Sequence, residues 1–150
     1  MKPRKILLVD DSHLDREMAL EALRQYHLAN EVVPLRDGVE ALDYLYCRDQ
    51  FAGRTGPEPA LILLDLKMPR VDGLEVLRQI KGDPVLKVIP VVMMTSSREE
   101  HDVIRSYQLG VNAYVVKPLS FHEFVEAIKA LGAFWLVLNE PPPREAGPPP

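Results

Sequence analysis

Leu61-Ile-Leu-Leu-Asp65 is a run of four large apolar residues closed by an acid. A strand with one wet face alternates polar with apolar residues, whereas a strand covered on both faces of a parallel sheet does not. Three more runs share this continuous character: Ile6-Leu-Leu-Val9 upstream, and Val91-Val-Met-Met94 and Tyr114-Val-Val116 downstream. A weaker one, Glu31-Val-Val-Pro-Leu35, carries Pro34. Proline has no N–H to give a ladder, so this strand belongs at a sheet edge.

Between the runs, apolar residues recur at helical spacing. Leu14, Met18, Ala22 and Tyr26 form a stripe with Leu23 beside it. Val39, Leu42 and Tyr46 follow the second strand, Leu74, Leu77 and Ile80 the third, and Val103, Ile104 and Tyr107 the fourth. Ser120-Phe-His-Glu123 is a capping-box start for a fifth helix carrying Phe124, Val125, Ile128 and Leu131. Strand and helix alternate five times, which predicts an α/β fold around a parallel sheet with right-handed crossovers. Residues 1–131 make the domain. Residues 132–150 form a C-terminal extension, in which the apolar run Phe134-Trp-Leu-Val-Leu138 precedes a proline-rich tail. Arg48 to Pro59, with Gly53, Gly56 and Pro57 inside it, reads as an exposed loop.

A chain of 150 residues suits one ordinary domain with a sizeable core. A formal charge of −4 and no basic stripe argue against nucleic acid as a partner. Cys47 is the single cysteine, so no intrachain disulfide can form and a cytoplasmic location is expected. The start, Met1-Lys-Pro-Arg-Lys5, is basic like a signal sequence, but the apolar run after it stops at Asp10. That is too short for a signal core or a membrane span. His13, His27, His101 and His122 have no metal-ligand spacing and read as surface residues.

The chemistry lies where the strands end. Asp10-Asp11 closes the first, Asp65 the third, Thr95-Ser96 the fourth and Lys117-Pro118 the fifth. In an open parallel sheet these ends share one crevice, where ligands bind. Helix capping explains any one such residue, but Asp-Asp and Lys-Pro match a cap poorly. Three packed carboxylates repel one another unless a cation sits among them, and an open all-oxygen site favours Mg²⁺ over Ca²⁺. The spare carboxylate can attack phosphorus, with Lys117 balancing charge and Thr95 hydrogen-bonding a phosphoryl oxygen.

Leu7-Leu-Val-Asp-Asp-Ser12, Leu64-Asp-Leu-Lys-Met-Pro-Arg-Val-Asp-Gly73, Met94-Thr-Ser96 and Val116-Lys-Pro-Leu119 together resemble the stand-alone receiver domain of two-component response regulators. The resemblance implies a flavodoxin-like, doubly wound five-stranded parallel sheet in order 2-1-3-4-5 with five helices. It implies that Asp65 is the phosphoacceptor and Asp11 a direct Mg²⁺ ligand. Asp10 would act on the metal largely through water, and the backbone carbonyl of Lys67 would complete the ligands. Thr95 and Lys117 would bind the phosphoryl group, Thr95 and Tyr114 would form the switch, and Lys117-Pro118 would be a cis peptide. Lys67 and Ser97 occupy positions that tune phosphate lifetime in the family. The loop before Pro59, the Gln79-Ile-Lys-Gly-Asp-Pro84 and Arg105-Ser-Tyr-Gln-Leu-Gly110 segments and the ending Phe134-Trp-Leu-Val-Leu-Asn-Glu-Pro141 are similar to regulators paired with phytochrome-type histidine kinases.

The implied function is phosphoryl acceptance from such a kinase, followed by signalling through protein contacts. A relay intermediate without its own output is the alternative. A flavin module would share the fold but needs a phosphate-cradling loop where Asp10-Asp11 stands. An aspartyl-phosphate hydrolase would share the chemistry but needs a cap that no insertion here is long enough to build. The run at 134–138 would be an exposed apolar patch on a monomer, which predicts a homodimer through the fourth helix, the fifth strand and the extension.

Overall fold

The apolar runs become strands whose side chains divide between two faces, and helices cover both. A computed structural model describes residues 5–25 and 32–117, with positions 120, 122, 123, 126 and 130 beyond them. In chain order the elements are β1 (Ile6–Val9), α1 (His13–Gln25), β2 (Val32–Leu35), α2 (Gly38–Leu45), β3 (Leu61–Leu64), α3 (Gly73–Gly82), β4 (Val91–Thr95), α4 (Glu100–Gln108) and β5 (Ala113–Val116). The sheet is parallel throughout, in order β2-β1-β3-β4-β5.

Successive strand residues point to opposite faces. Ile6, Leu8, Leu61, Leu63, Val92 and Met94 pack with Ala19, Ala22 and Leu23 of α1. Leu7, Val9, Ile62, Leu64, Val91 and Met93 pack with Leu42 and Leu45 of α2 and Val76, Leu77 and Ile80 of α3. The fold is therefore doubly wound. Pro34 sits in β2 at the sheet edge opposite Leu8, as its missing N–H requires.

Local sequence starts the helices. The carboxylates of Asp37 and Asp72 accept from the backbone N–H of Glu40 and Glu75 at 2.8 and 2.9 Å, capping α2 and α3. Asp37 is also paired with Arg70, which ties the loop after β3 to the start of α2. Ser120 and Glu123 close the predicted capping box, with Ser120 N–H donating to the Glu123 carboxylate and Glu123 N–H to Ser120 Oγ. The body of that fifth helix, the Lys117-Pro118 peptide, Tyr26, His27 and the extension from 132 onward lie outside the described residues.

Three expectations need correction. Leu14, in the first turn of α1, is 79% exposed, and the helix instead buries Ala19, Ala22 and Leu23 against the strands. In α4, Ile104 and Tyr107 are 49% and 53% exposed, and Asp102 and Ser106 are the buried residues. Hydrogen bonds compensate that polar face: Ser97 Oγ donates to Asp102, and Ser106 Oγ donates to the Asp102 carbonyl at 2.8 Å. The run Tyr114-Val-Val116 is half-buried rather than buried on both faces, since β5 is the second edge strand. The loop before Pro59 is largely exposed, as expected, and it is also anchored. Arg54 donates to the Tyr44 and Leu45 carbonyls, pairs with Glu58 and lies over the Tyr44 ring.

Candidate phosphoryl-acceptor site

Parallel strands in register deliver their terminal residues to one edge. Asp65 N–H donates to the Val9 carbonyl at 2.9 Å and Lys117 N–H to the Thr95 carbonyl at 2.6 Å, so the ladder carries these side chains into line. Asp10, Asp11 and Asp65 each place a carboxylate oxygen within 4.8 Å of the others. Asp10, Asp65 and Thr95 are buried, and Asp11 is exposed. Lys117, also buried, sets its Nζ 2.8 Å from Asp10 and 2.7 Å from Asp15, and 4.0 Å from Asp65. Of the residues expected at the strand ends, Asp10, Asp11, Asp65, Ser96 and Lys117 therefore line one depression, which Ser12, Asp15 and Lys67 also border, and Thr95 reaches it through its hydrogen bond to Asp65.

Burial raises the Asp65 carboxyl to about 7, opposed by the charge of Lys117 and a hydrogen bond from Thr95 and reinforced by the charges of Asp10 and Asp11. Burial works against the charge on Lys117, but its hydrogen bonds to Asp10 and Asp15 and the charge of Asp65 outweigh it and raise the ammonium's pKa. An acid held half-protonated beside two more carboxylates is a site short of positive charge. Its all-oxygen donor set fits a hard divalent cation.

Beside this cluster lies a second network that links the loops after β3 and β4 to α4. Ser97 Oγ donates to Asp102 at 2.5 Å, and the Lys67 ammonium pairs with the same carboxylate at 3.3 Å. Tyr114 donates its hydroxyl hydrogen to the Ser97 carbonyl at 3.1 Å, and Ser97 N–H donates to Thr95 Oγ1 at 3.3 Å. Tyr114 thus touches the loop that follows Thr95. His13, His101 and His122 are exposed. His101 nevertheless approaches Glu99 and Asp102 at 3.3 and 3.4 Å, where Asp102 is already engaged by Ser97 and Lys67.

Sequence reasoning missed Asp15. Its one signal is spacing: four residues after Asp11 and in the first turn of α1, it stays at the same end of the sheet. Asp102 has no comparable local signal.

Known proteins resemble this chain over the fold that carries the site. A family model, the response regulator receiver domain, matches residues 6–129. Response regulator Rcp1 of Synechocystis sp. is 42% identical over 134 residues, which covers 89% of this chain and 90% of Rcp1. A crystal structure of the Mn²⁺-bound form of Rcp1 has a TM-score of 0.83 at 40% identity, covering 94% of this chain and all of that one (100%). The phosphorylated cyanobacterial phytochrome response regulator RcpA has a TM-score of 0.85 at 41% identity, covering 95% and 100% of the two chains. For the bacteriophytochrome response regulator AtBRR the values are 0.76 and 58%, over 93% and 100%. With a family model spanning nearly the whole fold and relatives this similar over their full lengths, the chain belongs to the response regulator receiver family of two-component signalling.

Proposed function

We propose that Asp65 accepts a phosphoryl group from the phosphohistidine of a phytochrome-type sensor histidine kinase in the cytoplasm, and that the domain of residues 1–131 then signals through protein contacts. The observation that carries this is the Asp65 carboxylate, buried at the end of β3 with Lys117 Nζ 4.0 Å away and Thr95 beside it. A carboxylate oxygen of Asp65 attacks phosphorus, forming an O–P bond as the P–N bond of the donor breaks. The histidine leaves with that electron pair. Lys117 balances charge on the phosphoryl oxygens and Thr95 hydrogen-bonds one of them.

Asp10, Asp11, Asp65 and the backbone carbonyl of Lys67 would hold Mg²⁺, which supplies neutralising charge for the phosphoryl group when bound. The Mn²⁺ bound by Rcp1 supports a divalent site here. RcpA, a phytochrome response regulator in its phosphorylated form, supports both the chemistry and the kinase class. The chain is a signalling protein that promotes only its own modification and its reversal. Phosphate on Asp65 draws in Thr95 and shifts Tyr114, and with it the surface of α4 and β5. The exposed Ile104 and Tyr107 of α4 support a homodimer through that surface and the extension, 132–150.

Intact-mass measurement after treatment with acetyl phosphate and Mg²⁺ tests the acceptor. The wild-type chain gains one phosphoryl mass and Asp65→Asn gains none. Equal gain in both overturns the assignment.

A further inference from the structure

We propose that Asp15 is a positioning residue for Lys117, holding the lysine back from Asp65 until a phosphoryl group arrives. This rests on the function proposed above and adds a residue outside the set that accepts the phosphoryl group or ligates the metal. An ammonium has three N–H donors. On Lys117 two of them are taken by Asp15 at 2.7 Å and Asp10 at 2.8 Å, while Asp65 lies at 4.0 Å, beyond hydrogen-bond reach.

Asp15 is held in place from both sides. Its backbone N–H donates to Ser12 Oγ at 3.2 Å, and the next residue, Arg16, donates to the Asp10 carbonyl at 2.6 Å. Its half-buried carboxylate also borders the depression that Asp65 faces.

A carboxylate in this place acts in two opposite senses. It adds negative charge beside a cation site and neutralises Lys117, so it favours a divalent metal. It also repels an anionic phosphoryl group and competes with it for the lysine. Loss of the Asp15 charge must therefore weaken metal binding and strengthen phosphoryl binding together. A residue needed only for packing would weaken both.

The test compares Asp15→Asn with Glu17→Gln in the full chain. Glu17 is exposed on the same helix, and its substitution removes the same charge. Two affinities are read by NMR titration: Mg²⁺ alone, and beryllofluoride, an analogue of the phosphoryl group on a carboxylate, at saturating Mg²⁺. In Asp15→Asn, Mg²⁺ affinity should fall about threefold to tenfold and beryllofluoride affinity rise about as much, the range for one partly buried charge-assisted contact. Glu17→Gln should change neither by more than about twofold. Movement of both affinities in one direction, or of neither, overturns the role of Asp15 while leaving Asp65 as acceptor. An Asp65→Asn chain that still responds to beryllofluoride overturns the functional reading itself, and the Asp15 proposal with it.

Discussion

The Lys117 ammonium donates to the Asp10 carboxylate at 2.8 Å, joining the ends of β5 and β1 across 107 residues of chain. It is the positive charge among three carboxylates, since Asp15 and Asp65 also face it. Removing one partner of a buried pair costs about 3–5 kcal/mol, because the other charges stay buried and unpaired. Lys117→Ala should therefore lose about 3 kcal/mol in metal-free buffer, and Mg²⁺ should restore more of that stability than it adds to the wild-type chain. Urea unfolding with and without Mg²⁺ reads the difference. An equal loss in both conditions would contradict the charge argument.

The folded Asp65 carboxyl titrates at about 7 against an ordinary 3.8, with burial as the main cause. The fold thus favours its neutral form. Its contribution to stability is full below about pH 4 and is lost as the pH rises through 7. Asp65→Asn, neutral at every pH, should be more stable than the metal-free wild type at pH 8 by a few kcal/mol, with the gap closing toward pH 4. Chemical denaturation across this range checks it.

Asp102 shifts the other way. The hydrogen bond from Ser97 holds its carboxyl below the ordinary value despite burial, with Lys67 helping. Its stabilising contribution is present above the ordinary carboxylate range and is lost as the pH falls through the depressed value. Lys67 is largely exposed, so the ion pair itself is worth little and the Ser97 contact dominates. Asp102→Ala should cost about 1–3 kcal/mol at neutral pH. Hydrogen exchange should show faster opening of α4 than of α3.

A Cβ added at Gly73 would lie 2.3 Å from the Asp65 carbonyl oxygen and 2.8 Å from Leu66 Cα. Both contacts are backbone, and Gly73 N–H is itself bound to the Leu66 carbonyl at 2.7 Å. Gly73→Ala should therefore cost about 1–3 kcal/mol. It should also slow phosphoryl acceptance more than its stability loss explains, because Asp65 must shift. Transfer rate from acetyl phosphate, measured well below the melting temperature, separates the two effects.

Thr95→Ala removes the hydroxyl that Asp65 and the Ser97 N–H both use. The variant should still accept a phosphoryl group but fail to switch. NMR shifts at Tyr114 and at Val103 to Tyr107 should stay at their unphosphorylated values. Wild-type shifts there would break the link between Thr95 and the α4–β5 surface.

Much of the fold is legible in the sequence, and the exceptions share a cause. Helical spacing in α1 marks a stripe through Leu14, Met18 and Ala22, yet the helix buries Ala19, Ala22 and Leu23 and leaves Leu14 in water. In α4, apolar spacing points to Ile104 and Tyr107, while the inward face is Asp102 and Ser106, made tolerable by partners on a loop and on the helix's own backbone. Periodicity reports what a helix can bury, and docking decides what it does bury.

By itself the sequence determined the alternation of strand and helix, the edge position of β2 through Pro34, and the delivery of Asp10, Asp11, Asp65, Thr95 and Lys117 to one end of the sheet. These follow from properties that are local to each run: its period, its missing N–H, and the residue that ends it. Only the tertiary structure decided that Lys117 rests on Asp10 and Asp15 rather than on Asp65, that burial lifts the Asp65 carboxyl to about 7, and that Lys67 and Ser97 converge on Asp102. Those outcomes depend on ångström-scale distances between residues far apart in the chain and on how much water each group loses, and no stretch of sequence encodes either alone.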